Sequence, residues 1–229
     1  MNWLEDGEKK IGERQGVIKM VKKAIGKIEK LPVEHFKKPG RKLYLVPLLP
    51  IAESHEKGLP KDYPAKLEAY WKEVSLRLDD LGSKVGKIHK IYHELINEKG
   101  EKGLKRIKKL NGKSYRIVNR YVDKGAELQA TEDMNLVRES MDWIRCLTAN
   151  LQSEKALSKV SQFYVEAMEK RDEFVAKRIN ETLKENESGI IFIRENNSIE
   201  FPSDIEIFRV HPPVLDDIRR YLRDFYSKS

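Results

Sequence analysis

The stretch Gly189-Ile190-Ile191-Phe192-Ile193-Arg194-Glu195 decides the fold. Its four apolar residues are too few for a helix and have no polar alternation, so they read as a strand buried on both faces. Such strands belong to parallel sheets covered by helices. The preceding residues agree. Val160, Tyr164, Met168, Val175, Ile179 and Leu183 recur at steps of four and seven, which is one face of a long helix starting near Ser158. Asn186 and Gly189 can end it. Arg171 and Asp172 fall where that face should stay apolar, and charge buried there needs a partner. After the strand, Asn196-Asn197 is turn material, and residues 198–201 are read as pairing back in a hairpin. Ile205, Ile207 and Val210 predict a last strand. Pro212-Pro213 opens a final helix, with Leu215, Ile218, Leu222 and Phe225 inward.

Toward the N-terminus, Thr131 is read as the cap of another helix, with Glu132 and Asp133 in its first turn. Val137, Met141, Ile144, Leu147 and Leu151 make its core face. Two short helices precede it, around residues 101–110 and 115–124, the second stopping at Gly125. Residues 85–94 are read as a second strand, because Gly82, Gly86, Ile88, Ile91 and Tyr92 favour extended chain; a helix is the alternative. Upstream, Pro64 fits a helix's first turn, Leu67, Tyr70, Trp71, Val74, Leu78 and Leu81 form its stripe, and Gly82 ends it. Residues 42–48 are the first strand, with Pro47 at its end or on an edge. Pro50 then opens a long loop carrying Glu53, His55 and Glu56. Strand, helix and strand make a βαβ unit with parallel strands.

The expected class is therefore α/β: a small, mostly parallel sheet with flanking helices and a large helical insertion between its second and third strands. Residues 1–40 read as a basic amphipathic arm and linker, with Ile11, Ile18, Val21, Ile25 and Ile28 at helical spacing, and residues 41–229 as one domain.

Charged residues make up 36% of the 229 and hydrophobic ones 39%, but apolar periodicity runs almost throughout, which excludes a disordered chain. A single cysteine, Cys146, excludes an internal disulfide and a cysteine-rich zinc site, and its place among helix-periodic residues predicts a buried thiol. No apolar run approaches membrane-spanning length, and the polar N-terminus lacks a signal-peptide core, so a cytoplasmic setting without membrane contact is expected. The net charge of +8 is uneven. Residues 1–42 hold 12 Lys and Arg against 6 Asp and Glu, residues 84–120 hold 12 against 3, and the remainder is acidic. Such basic blocks can hold the phosphates of nucleic acid, and Tyr92, Tyr115 and Tyr121 lie within the second.

No G-x-G-x-x-G, phosphate-loop or G-x-S-x-G motif is present. Candidate chemistry comes instead from the rule that open α/β sheets bind ligands beyond the carboxyl ends of their strands. Glu53 and His55 follow the first strand, His93 and Glu94 end the second, and Arg194 and Glu195 end the third. Arg171 and Asp172 can reach the same edge from the long helix. In this reading Arg171 holds a small anionic ligand or orients a carboxylate. Glu53, His55, Glu94, Asp172 and Glu195 move protons or bind a divalent metal, and the chemistry could be hydrolytic. His89 and His93 would stand roughly 13 Å apart on a strand, too far for one metal. Two other classes stay open: a nucleic-acid-binding protein using the basic blocks, and a homo-oligomeric interaction module without catalysis.

Glu169-Lys170-Arg171-Asp172 followed by the Gly189 strand resembles the TraB/ChaN-like superfamily, whose members carry an arginine-bearing helix before a core strand. Residues 43–46 with Glu53 and His55 are similar to the family's early strand and its acidic, histidine-bearing loop. The resemblance covers about half the chain. It implies the same fold class, with metal-dependent hydrolysis or haem binding. Residues 47–50 and 194–197 stand where the family has G-x-x-H.

Overall fold

The computed structural model of the chain describes residues 39–50 and 59–227. Along them run β1 (Arg41–Leu48), α1 (Tyr63–Val85), β2 (Lys90–His93), α2 (Gly100–Leu110), α3 (Gly112–Asp123), β3 (Glu127–Leu128), α4 (Met134–Thr148), α5 (Glu154–Thr182), β4 (Ser188–Arg194), β5 (Ile205–Arg209) and α6 (Pro213–Tyr226). The sheet is parallel throughout, in the order β3-β2-β4-β1-β5. β4 lies at its centre, with Ile190, Ile191, Phe192 and Ile193 all at 0% exposure, as its unbroken apolar run predicts.

Crossover handedness decides which helices cover which face. From β1 through α1 to β2, and on through α2 and α3 to β3, the chain steps one way across the sheet. From β3 through α4 and α5 to β4 it steps back. Right-handed crossovers in opposite directions place their helices on opposite faces. One face accordingly packs Tyr44, Val46, Ile91, Ile190 and Phe192 against α1, α2, α3 and α6. The other packs Leu43, Leu45, Tyr92, Ile191 and Ile193 against Val175, Ile179 and Leu183 at the end of α5. Arg41 ties the amino edge to that helix: its Nη1 donates to the last carbonyls of α5, Asn180 O at 3.1 Å and Leu183 O at 3.2 Å, while Nε and Nη2 clasp Asp204.

Several local expectations are corrected. α1 does not stop at Gly82 but continues to Val85, because Gly86, at φ +104°, supplies the left-handed residue that a helix end favours. β2 is accordingly only Lys90–His93. Thr131 caps nothing; its hydroxyl accepts from His93 N and donates to Gln129 O, and the cap of α4 is Asp133, whose side chain accepts from Asn135 N. The hairpin after β4 does not form. β5 crosses instead to the far side of β1, and Ile199 and Phe201 pack onto the α5 side of the sheet. Pro47 sits in an interior strand, yet β5 pairs only as far as Leu45. Val210 N donates to Leu45 O, so the proline nitrogen, two residues on, points to the side where β5 has run out. There Tyr70 Oη donates to the proline carbonyl at 2.6 Å. Cys146 is exposed rather than buried.

Among the described residues no helix is long and apolar enough to cross a membrane. The N-terminal arm lies outside the described residues, apart from Pro39 and Gly40.

Candidate functional site

At the carboxyl edge of the sheet, four buried charged side chains meet the part-buried Arg194. Arg171 stands on α5 between Ala167 and Val175, both at 0% exposure, so its guanidinium enters the layer beneath the helix. There Nη2 donates to Glu132 Oε1 at 2.7 Å and, more weakly, to Glu94 Oε1 at 3.4 Å; Nη1 donates to Ser140 Oγ of α4 at 3.2 Å. Glu94 follows β2 and Glu132 follows β3, so parallel strands bring both carboxylates to one edge. Glu94 also receives Arg194 Nη1 at 3.0 Å and Arg194 N at 2.7 Å. Asp172 pairs with Arg194 Nη2 and accepts from Ser198 N at 2.8 Å. The network thus fastens the ends of β2, β3 and β4 to α4 and α5. Burial works to lower the Arg194 pKa, but Glu94 and Asp172 outweigh it and hold the guanidinium above its ordinary value.

Of the six residues expected at the site, the structure gathers three: Glu94, Arg171 and Asp172. Glu195 is a correction. It turns to the opposite face and pairs with Arg219 of α6. Strand alternation would send Arg194 toward α1, with Ile190 and Phe192, and Glu195 toward α5. Instead β4 ends at Arg194, the chain bends, and the two side chains exchange sides. Glu53 and His55 lie outside the described residues. His93 is a second correction: it is a core residue. Its ring stacks on Phe192 with centroids 5.6 Å apart, Nδ1 donates to Glu94 O at 2.8 Å, and Nε2 meets Ser114 Oγ at 2.9 Å. Burial lowers its pKa to about 4. His89 is at the other end of β2, where its Nδ1 accepts from Ser188 N.

Sequence reading missed Glu132 as a site residue. It was placed in a helix's first turn, whereas it precedes α4 and follows a strand of two residues. The signal that could have found it is the buried cation four turns into the long helix, which needs more than one carboxylate.

Glu132 also lines a cleft of about 530 Å³ beside the network. One wall is α5, with Phe174, Lys177 and Arg178. The other is the chain following β2 and β3, with Asn97, Ala130, Asp133 and Asn135. Arg178 donates to Ala130 O at 3.4 Å, bridging the walls at one side, and pairs with Glu181 of its own helix at 2.7 Å. Lys177 has no ion-pair partner among the described residues. A second hollow of about 480 Å³ touches the network from the Asp172 side, with Glu169, Glu173 and Glu200 around it. Among the described residues no three His, Cys, Asp or Glu side chains are placed to hold a metal ion.

The second basic block forms β2, α2 and most of α3, and five of its twelve cations are answered locally. Lys84 pairs with Asp80, Lys90 with Glu127, Lys105 with Glu101, Lys113 with Glu68 and Arg120 with Asp79. Comparison of the chain with known protein families, with curated proteins and with solved structures gives no match.

Proposed function

We propose that the protein binds a small zwitterion, an amino-acid-like molecule, in the cleft between α5 and the chain following β2 and β3. One observation carries this reading: Glu132 belongs to both the cleft and the buried network. Four buried charges and a part-buried fifth are a poor way to stabilise a fold, since taking ions out of water costs more than many pairs return. They are a good way to hold a carboxylate in one orientation at a cleft wall. The cleft's size lies within the range of small-molecule sites, and it lies at the carboxyl edge of the sheet, where ligands of open α/β folds bind.

The walls differ in sign. Lys177 offers a cation to an anionic end and Asp133 a carboxylate to a basic one, Arg178 is answered by Glu181 of its own wall, and Asn97 and Asn135 can donate or accept. A purely anionic ligand would leave Asp133 unanswered. The nucleic-acid alternative has less support, because five cations of the second basic block already face carboxylates.

The test is calorimetry and thermal shift with the free amino acids, each beside its N-acetyl form, which lacks the cation, and its amide, which lacks the anion. At least one free amino acid should bind, and both of its derivatives should bind about tenfold more weakly or worse. Lys177→Ala should weaken the free form by a similar factor. Equal binding of the N-acetyl form, no binding by any member, or indifference to Lys177→Ala would each reject the reading.

A further inference from the structure

Between Met141 and Glu166, where α4 runs out and α5 begins, not one residue is buried. Yet this is among the less polar parts of the chain: 13 of its 26 residues are hydrophobic, against 39% overall, and 6 are charged, with equal numbers of each sign. α5 is about 43 Å long, and its buried residues begin only at Ala167. α4 likewise buries Val137 and Ser140 and nothing beyond. The two helices therefore continue past the sheet as an antiparallel hairpin with no layer of this chain beneath it among the described residues.

The hairpin keeps the pattern of a helix that has something to lie on. Asp172, Val175 and Ile179 form the α5 stripe that faces the sheet. Counting back in steps of three and four reaches Met168, Val165, Ser161 and Leu157. Val165 is 50% exposed and Leu157 44%. Across the pair, α4 presents Met141 at 44% and Ile144 at 40%; Phe163, 40% exposed and 4.9 Å from the Trp143 ring, is two residues from Val165 and belongs to the opposite side of α5. An exposed face of this kind marks an interaction surface.

We propose that two copies of the chain pack these hairpins together, so that residues 141–166 form a four-helix bundle at the centre of a homodimer. Three observations select a second copy. A two-helix hairpin with one apolar face is half of such a bundle, and a two-fold axis supplies the other half with a self-complementary surface. The segment carries no net charge, although the chain as a whole carries +8, so identical surfaces can meet there without repulsion. The area also fits. The four exposed residues of that face, Met141, Ile144, Leu157 and Val165, offer roughly 330 Å² of apolar surface, most of the roughly 450 Å² in a standard interface of about 800 Å² per partner, a little over half apolar.

The test is sedimentation velocity on the full chain from about 1 µM to about 100 µM. The expected result is a dimer over most of that range. Leu157→Lys with Val165→Glu should weaken it by at least about tenfold, with the circular dichroism spectrum unchanged, since neither side chain is part of a core. Leu76→Lys, at an equally exposed apolar site on α1 (60% exposed), should leave the dimer intact. The single native cysteine gives a second reading. Cys146 is exposed on α4, and a nitroxide there should give an inter-subunit dipolar distance that the double substitution abolishes. A monomer at the highest concentration, a dimer indifferent to the double substitution, or one broken by Leu76→Lys would each overturn the proposal.

Discussion

Arg171 is held between two carboxylates with 7% of its side chain exposed, and Glu132 beside it has 1%. Removing the cation strands Glu132 and weakens the anchoring of Glu94. Breaking one side of a buried pair typically costs about 3–5 kcal/mol, so Arg171→Met should lose that much in urea denaturation. Arg171→Met with Glu132→Leu should recover at least half, because the stranded charge is gone. Arg219→Ala, which breaks the half-exposed pair with Glu195, should cost at most about 1 kcal/mol. If the two arginines cost the same, Arg171 is not holding buried charge. At this scale the sequence was partly legible. A charged pair on an apolar stripe announced Arg171 and Asp172, because periodicity makes an intruder visible. Arg194 and Glu195 were legible as strand-end charges but not as to side, since the bend after Arg194 reverses them.

α2 shows how an element can depend on an absent side chain. It is 11 residues long and stands against β3 through Gly103, where an added Cβ would lie 2.3 Å from Glu98 O and 2.8 Å from Leu128 Cδ2. Backbone cannot yield as a side-chain tip can, so Gly103→Ala must force α2 away from the Glu98 carbonyl in the segment that leads into it, and it also crowds Leu128 of β3. The expected loss is about 1–3 kcal/mol, read from thermal or urea unfolding. Gly112→Ala on α3, where nothing lies within 4 Å, should be neutral or slightly stabilising. Equal effects at the two positions would mean that α2 has room to shift. Long periodic elements such as α1 and α5 were legible because many residues vote for one face. β3, with two residues, has no pattern to read, and the end of α1 turned on which of two glycines takes the left-handed conformation. The course after β4 was misread because turn residues fix a reversal but not the strand that receives the chain.

The α/β class of the whole molecule was legible because buried strand and amphipathic helix differ in period over long stretches. The site was not, since it joins segments far apart in sequence whose meeting depends on strand order. One whole-molecule property follows from a histidine that the sequence placed at a strand end beside the candidate site. His93 lies within the core with Phe192, Ser114 and the Glu94 carbonyl around its ring, and its pKa is lowered to about 4 by burial. In the unfolded chain it titrates near 6.5, so between about pH 6.5 and pH 4 the unfolded state binds a proton that the folded state does not. Stability from this group is complete above that window and is lost as pH falls through it, by about 3 kcal/mol at most. Urea midpoints at pH 7, 5.5 and 4.5 should therefore fall for the native chain. Carboxylates add their own slope toward the acid end, so the contribution of His93 is the difference from a variant that cannot titrate. His93→Gln should start lower at pH 7, having lost the ring stacking, and then decline less steeply. Parallel curves for the two proteins would mean that the imidazole is already free to take up its proton in the fold, and that the core beneath β2 opens more readily than its packing implies.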